Sequence, residues 1–114
     1  MEIRDHAIGS VTVIALDGRL TINERPGQLK EAVQAAQGRG ATDVVLDLTG
    51  IRYMDSTRLG ELIAAHVTVS RVGGRLKLAA APPRVVELLT LAGLDGTFER
   101  FDSVEDAAAS LQPS

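Results

Sequence analysis

Three consecutive residues with side-chain oxygens, Asp55-Ser56-Thr57, stand between an apolar run and a stretch of helically spaced apolar residues. Such residues start helices, because their oxygens accept hydrogen bonds from N–H groups that lack an intrahelical partner. Asp55 or Ser56 is therefore expected as an N-cap. The same position suits a second chemistry. A hydroxyl at a helix start lies where the helix dipole and unpaired N–H groups favour negative charge, so a phosphate added there is well accommodated.

Catalytic alternatives have few candidates. His6 and His66 are the only histidines. A Ser–His–Asp arrangement would need Ser56 and His66 to converge, yet ten residues of one helix separate them by ~15 Å at 1.5 Å per residue. No His or carboxylate group has metal-ligand spacing, and there is no Gly-x-x-x-x-Gly-Lys-Ser/Thr phosphate loop. Gly38-Arg39-Gly40 and Gly73-Gly74 read as helix stops. Asp47 could hold a cation at a strand end, but a locally satisfied carboxylate is the simpler reading. The expectation is a non-enzyme with no cofactor and no metal.

Composition narrows the partners. The 114 residues are 45% hydrophobic and 24% charged, as expected of one globular domain spanning 1–114 and not of a disordered chain. The formal net charge is −3 with no basic run, which argues against nucleic acid or an anionic membrane as a direct partner. There is no Cys, hence no disulfide or thiolate chemistry. MEIRDHAIGS has no signal-like apolar core and no run approaches a membrane span, so a cytoplasmic location is expected.

The elements that must position Asp55–Thr57 follow from periodicity. Met1 to Ile8 and Val11 to Leu16 read as two strands around a Gly9-Ser10 hairpin turn, with Asp17-Gly18 ending the second and Arg19 to Ile22 continuing irregularly. Pro26 suits a first helical turn, and Leu29, Ala32, Val33 and Ala36 make one apolar stripe. Asp43 to Leu48 is a buried strand broken by Thr49-Gly50, and Ile51 to Met54 is a loop. A helix from about Thr57 to Val72 would turn Leu59, Leu62, Ile63, His66 and Val67 inward, with Arg58, Glu61, Thr68 and Arg71 on other faces. A solvated surface charge is the favoured reading of Arg58, and the alternatives are pairing with Asp55 or Glu61 or reaching a phosphate on Ser56. Arg75 to Ala80 is a strand. Pro82-Pro83 opens a helix carrying Val85, Val86, Leu88, Leu89 and Leu91 and stopped by Gly93; Thr97 to Phe101 is a short strand. Ser103 caps the last helix, and Gln112 to Ser114 is a frayed tail. The order β-β-α-β-α-β-α-β-α implies an α/β fold: a single mixed, mostly parallel sheet flanked by about four helices, with an antiparallel hairpin strand at one edge.

Asp55-Ser56-Thr57-Arg58-Leu59-Gly60, after an acidic strand end and an apolar loop, resembles the Asp-Ser-Ser/Thr-Gly-Leu-Gly phosphorylation motif of the STAS domain family. Leu16-Asp17-Gly18-Arg19-Leu20 is similar to that family's second strand and Gly-x-Leu turn. Gly93-Leu94-Asp95, Phe98 and Asp102 to Ala107 resemble its closing segment. The resemblance is to the bacterial anti-sigma factor antagonist (anti-anti-sigma factor) type. It implies a STAS-like fold and a partner-switching phosphoprotein in transcription regulation. Such a protein binds an ATP-dependent anti-sigma factor serine kinase and so frees a sigma factor. Phosphorylation at Ser56 (second choice Thr57) turns it off, and a PP2C-type phosphatase resets it. The implied partner-binding residues are Thr21, Asp55, Ser56, Thr57, Arg58, Gly60 and Glu61, in a monomer or weak dimer. A stressosome-like scaffold, or a STAS module accessory to lipid or anion transport, is the alternative. Two positions depart from the family pattern: Arg58 stands where Gly is usual, and Thr21 where an acidic residue is frequent.

Overall fold

The computed structural model describes residues 1–21 and 25–113. The elements occur in the expected order: β1 (Glu2–Ile8), β2 (Val11–Leu20), α1 (Gln28–Gly38), β3 (Asp43–Met54), a 3-10 turn (Ser56–Arg58), α2 (Leu59–Ser70), β4 (Leu76–Ala79), α3 (Pro83–Leu91), β5 (Arg100–Phe101) and α4 (Val104–Leu111). The strands lie in the order β1-β2-β3-β4-β5. Only β1–β2 is antiparallel, closed by Gly9 at φ 60; the remaining neighbours are parallel. Each parallel step is bridged by a helix, as parallel pairing requires.

Both faces of the sheet are covered, which is why β2 and β3 are nearly continuous in apolar residues. Ile14, Leu16, Val44, Leu46, Leu48 and Leu78 face a core filled by Leu29 and Val33 of α1, Leu62 and Val69 of α2, and Leu88 and Leu89 of α3. Val11, Val13, Val45 and Ala79 point the other way, onto Ala107, Ala108 and Leu111 of α4. Ser103 caps α4 by accepting from the Asp106 N–H at 3.1 Å. The tail is not frayed at Gln112, whose Nε2 donates to the Ile8 carbonyl at 2.8 Å and fastens the end of α4 to the first hairpin.

Two expected strand ends are not ends. β2 runs through Asp17-Gly18 to Leu20, and β3 runs through Thr49-Gly50 to Met54. The breaks are matched: Asp17 pairs with Gly50 and Gly18 with Ile51, and the register shifts between Ala15 and Asp17 and again between Gly18 and Arg19. At each shift β3 carries one extra residue, a bulge that bends the strand without ending its pairing. Gly50 is required there, since a Cβ would lie 2.9 Å from the Leu16 carbonyl oxygen. Segment 51–54 is thus a strand extension and not a loop.

Smaller differences share simple causes. Pro26 precedes α1 by two residues because Gly27, at φ 87, turns the chain first. β4 and β5 are shorter than expected. Leu91 is 76% exposed, at the end of α3. Ile22 lies outside the described residues.

Candidate functional site

The bulged extensions carry β2 and β3 to adjacent ends. There the Asp55 N–H donates to the Leu20 carbonyl at 2.9 Å, locking the head of the following helix to the neighbouring strand. Asp55 is extended (φ −84, ψ 140), and its Oδ1 accepts from the Thr57 N–H at 3.1 Å. Of the two N-cap candidates, Asp55 takes the role. The chain then makes one 3-10 turn through Ser56, Thr57 and Arg58 before α2 begins at Leu59. Ser56 and Thr57 are exposed.

The Asp55 carboxyl is held below its ordinary value, first by the Thr57 backbone N–H and then by the Thr57 side chain, with the positive charges of Arg58 and Arg84 adding to the effect. The site is therefore an anionic cap at a helix start with an exposed hydroxyl beside it.

Arg58 is not a solvated surface charge. Its side chain is 13% exposed, and its Nε donates to the Thr21 carbonyl at 2.8 Å. Glu61, 14% exposed, lies 4.0 Å from Arg58 and accepts from the Gly27 N–H with both oxygens at 3.2 Å. The two heads thus reach Thr21, just after β2, and Gly27, just before α1.

The outward face of α2 differs from expectation in the opposite sense. Leu59, Leu62, Ala65 and Val69 are buried, whereas Ile63 and Val67 are 40% and 38% exposed. The sheet claims a stripe centred on Leu62, Ala65 and Val69, which rotates Ile63 and Val67 out. Gly60, Ile63 and Val67, spaced three and four residues apart, then share one exposed face of α2, and exposed Ser56 lies in the turn just before it. Gly60 is helical, and a Cβ there would meet nothing within 4 Å. Sequence spacing contained the stripe, but the choice of buried face did not follow from it, because α2 is apolar nearly all round.

The remaining candidates are not drawn to this place. His66 packs edge-on against Phe98, with centroids 5.3 Å apart and rings at 61°, away from the Ser56 face. His6 is exposed on β1. Asp47 accepts from the Thr49 N–H at 3.0 Å and from its hydroxyl at 2.5 Å, as a locally satisfied carboxylate. A recess of about 600 Å³ lies elsewhere, at the β4–β5 end, lined by Ala80, Val86, Asp95, Phe98, Arg100 and Asp102. No helix among the described residues is long and apolar enough to cross a membrane.

The family model "Mlab, STAS domain" matches residues 3–104. The chain belongs to the STAS domain family. Among its relatives, the anti-sigma F factor antagonist of Paenibacillus polymyxa is 26% identical over 102 residues, covering 90% of this chain and 87% of that protein. The crystal structure of an anti-sigma factor antagonist from Mycobacterium paratuberculosis superposes with a TM-score of 0.83 at 22% identity, covering 98% of this chain and 94% of that one. The Bacillus cell fate determinant SpoIIAA in its phosphorylated form superposes with a TM-score of 0.73 at 19% identity, covering 97% of this chain and all of that one. This STAS chain thus has the family's sheet and helices, with Asp55-Ser56-Thr57 at the junction of β3 and α2.

Proposed function

We propose that this STAS protein is an anti-sigma factor antagonist switched by phosphorylation of Ser56. Unmodified, it docks the exposed face at the head of α2 onto an anti-sigma factor serine kinase in the cytoplasm, and the occupied kinase lets go of its sigma factor. ATP belongs to the kinase. The docking face consists of Asp55, Ser56, Thr57 and Gly60, with Thr21 at the neighbouring strand end. A PP2C-type phosphatase restores the binding form.

The observation that carries this reading is an exposed serine directly after a capping aspartate at the start of a helix whose outward face goes on as Gly60, Ile63 and Val67. A helical glycine costs stability, and nothing around Gly60, the second residue of α2, calls for one in this chain; close approach of a partner backbone does. Half-exposed Ile63 and Val67 give that partner apolar area. Support also comes from kinship with proteins named anti-sigma factor antagonists, and from a fold neighbour solved in a phosphorylated form.

Phosphorylation would add about −1.5 to −2 charges at the edge of this face, beside the Asp55 carboxylate. The helix start tolerates the phosphate, so the fold persists and the switch works by repulsion and desolvation at the interface. The test is titration calorimetry with an anti-sigma serine kinase from the same organism, comparing Ser56→Ala with Ser56→Glu. Binding retained in the alanine variant and weakened at least tenfold in the glutamate variant is expected. Equal binding by both would overturn the switch.

A further inference from the structure

Arg58 and Glu61 belong to the residues expected to touch the partner, yet their charged heads are largely covered. We infer that they are positioning residues of the switch, tying Thr21 at the end of β2 and Gly27 at the start of α1 to the first turn of α2 so that the partner meets two strand ends held as one surface. The inference rests on the reading that the Ser56 face docks a kinase.

The geometry shows what the two side chains grip. Arg58 and Glu61 stand 4.0 Å apart, too far for a direct hydrogen bond, whereas the Arg58–Thr21 and Glu61–Gly27 contacts at 2.8 and 3.2 Å are within range. The pair therefore holds backbone on either side of the β2–α1 connection more firmly than it holds itself. Thr21 follows directly on β2. Gly27, at φ 87, is the N-cap residue of α1, and its carbonyl accepts from the Glu31 N–H at 3.0 Å. Next to it, Arg25 makes a two-pronged contact with Glu31 at 2.7 and 3.0 Å.

The cost of this arrangement argues that position is what it secures. Two heads removed from most of their water are retained only with opposite charge nearby and their hydrogen-bonding capacity used. A glycine at position 58, the residue usual in the family motif, could not reach Thr21. This chain uses the planar multi-donor fork of arginine, which lysine does not reproduce. Because Asp55 is bonded to Leu20 and Arg58 to Thr21, the Ser56 turn and the end of β2 are tied by two consecutive carbonyls. A partner docking on such a surface pays less to order it.

The test measures backbone protection and partner binding on the same proteins. Amide hydrogen exchange by NMR is followed at Gly27 and, as a core reference, at Leu46 in wild type, Arg58→Ala, Glu61→Ala and Glu61→Gln, and each is titrated with an anti-sigma serine kinase of the same organism. In Arg58→Ala and Glu61→Ala, Gly27 is expected to exchange about tenfold faster or more, with Leu46 unchanged and kinase binding about tenfold weaker. Glu61→Gln keeps an acceptor for Gly27 and is expected to restore both. Unchanged Gly27 exchange overturns the inference, as does kinase binding that stays at the wild-type level while Gly27 opens. Equal acceleration at Leu46 also overturns it, by assigning the pair to global stability. A wild-type chain that binds no kinase defeats the underlying switch reading and the positioning role with it, whereas the Gly27 exchange alone reports whether the grip exists.

Discussion

Replacing Gly60 with alanine is expected to make the protein more stable, a result that separates the demands of the fold from those of docking. Gly60 is the second residue of α2, its φ is ordinary for a helix, and an added Cβ has nothing within 4 Å. With no clash to offset it, the substitution gains the helix-propensity difference of about 0.5–1 kcal/mol. For a chain of this size that raises the melting temperature by roughly 2–5 °C. Gly60→Leu, on the same open face, should also melt no lower than wild type. Its longer side chain would stand where the partner approaches, and overpacking a fitted interface costs about 1–3 kcal/mol, roughly a 5- to 150-fold loss of affinity. Thermal melting of both variants, with calorimetric titration of the kinase, measures both effects. A drop in melting temperature for Gly60→Ala would show that the fold needs the glycine. Wild-type affinity in Gly60→Leu would show that no partner approaches there.

Three further outcomes follow from other parts of the structure. Gly74→Ala would put a Cβ 2.0 Å from the Thr42 carbonyl oxygen, so the turn entering β4 must move and loosen the Val44–Arg75 and Arg75–Asp43 bonds at 2.9 Å; a loss of about 2–4 kcal/mol in urea unfolding is expected. Ile63→Lys with Val67→Lys removes two side chains each about two-fifths exposed, hence about 1–2 kcal/mol of apolar burial in the complex, a roughly 5- to 30-fold weaker kinase affinity by calorimetry, while the lysine stems keep much of the packing within the chain. Because the Asp55 carboxyl is held below its ordinary value by Thr57, its capping contribution is complete above the unfolded-state pKa near 3.9 and is lost as pH falls through the lower folded value; the melting-temperature difference between wild type and Asp55→Asn should therefore be constant at neutral pH and shift against wild type on acidification.

How far the sequence could be read depended on whether a feature was set locally. Hairpin, helix and strand order follow from periodicity and turn residues, and the Asp55 and Ser103 caps are contacts two or three residues long. Strand lengths are different. Asp17-Gly18 and Thr49-Gly50 each look like a stop when read alone, but they lie opposite one another and let two bulged strands continue together, a property of the pair. The facing of α2 was hidden because Leu59, Leu62, Ile63, Ala65, Val67 and Val69 leave almost no polar side, so only packing against the sheet decides which of them stay outside. Arg58 was misread for a similar reason: helical position alone does not reveal that the Thr21 carbonyl, 37 residues earlier, is within its reach.

The central claim is that Ser56 is the switch, and intact-mass spectrometry tests it most directly. Wild type and Ser56→Ala are incubated with an anti-sigma serine kinase of the same organism and ATP. A single gain of about 80 Da in wild type, absent from Ser56→Ala, is the predicted result. An equal gain in both proteins would move the acceptor to Thr57 or elsewhere, and no gain in either, with the kinase shown to be active, would contradict the account.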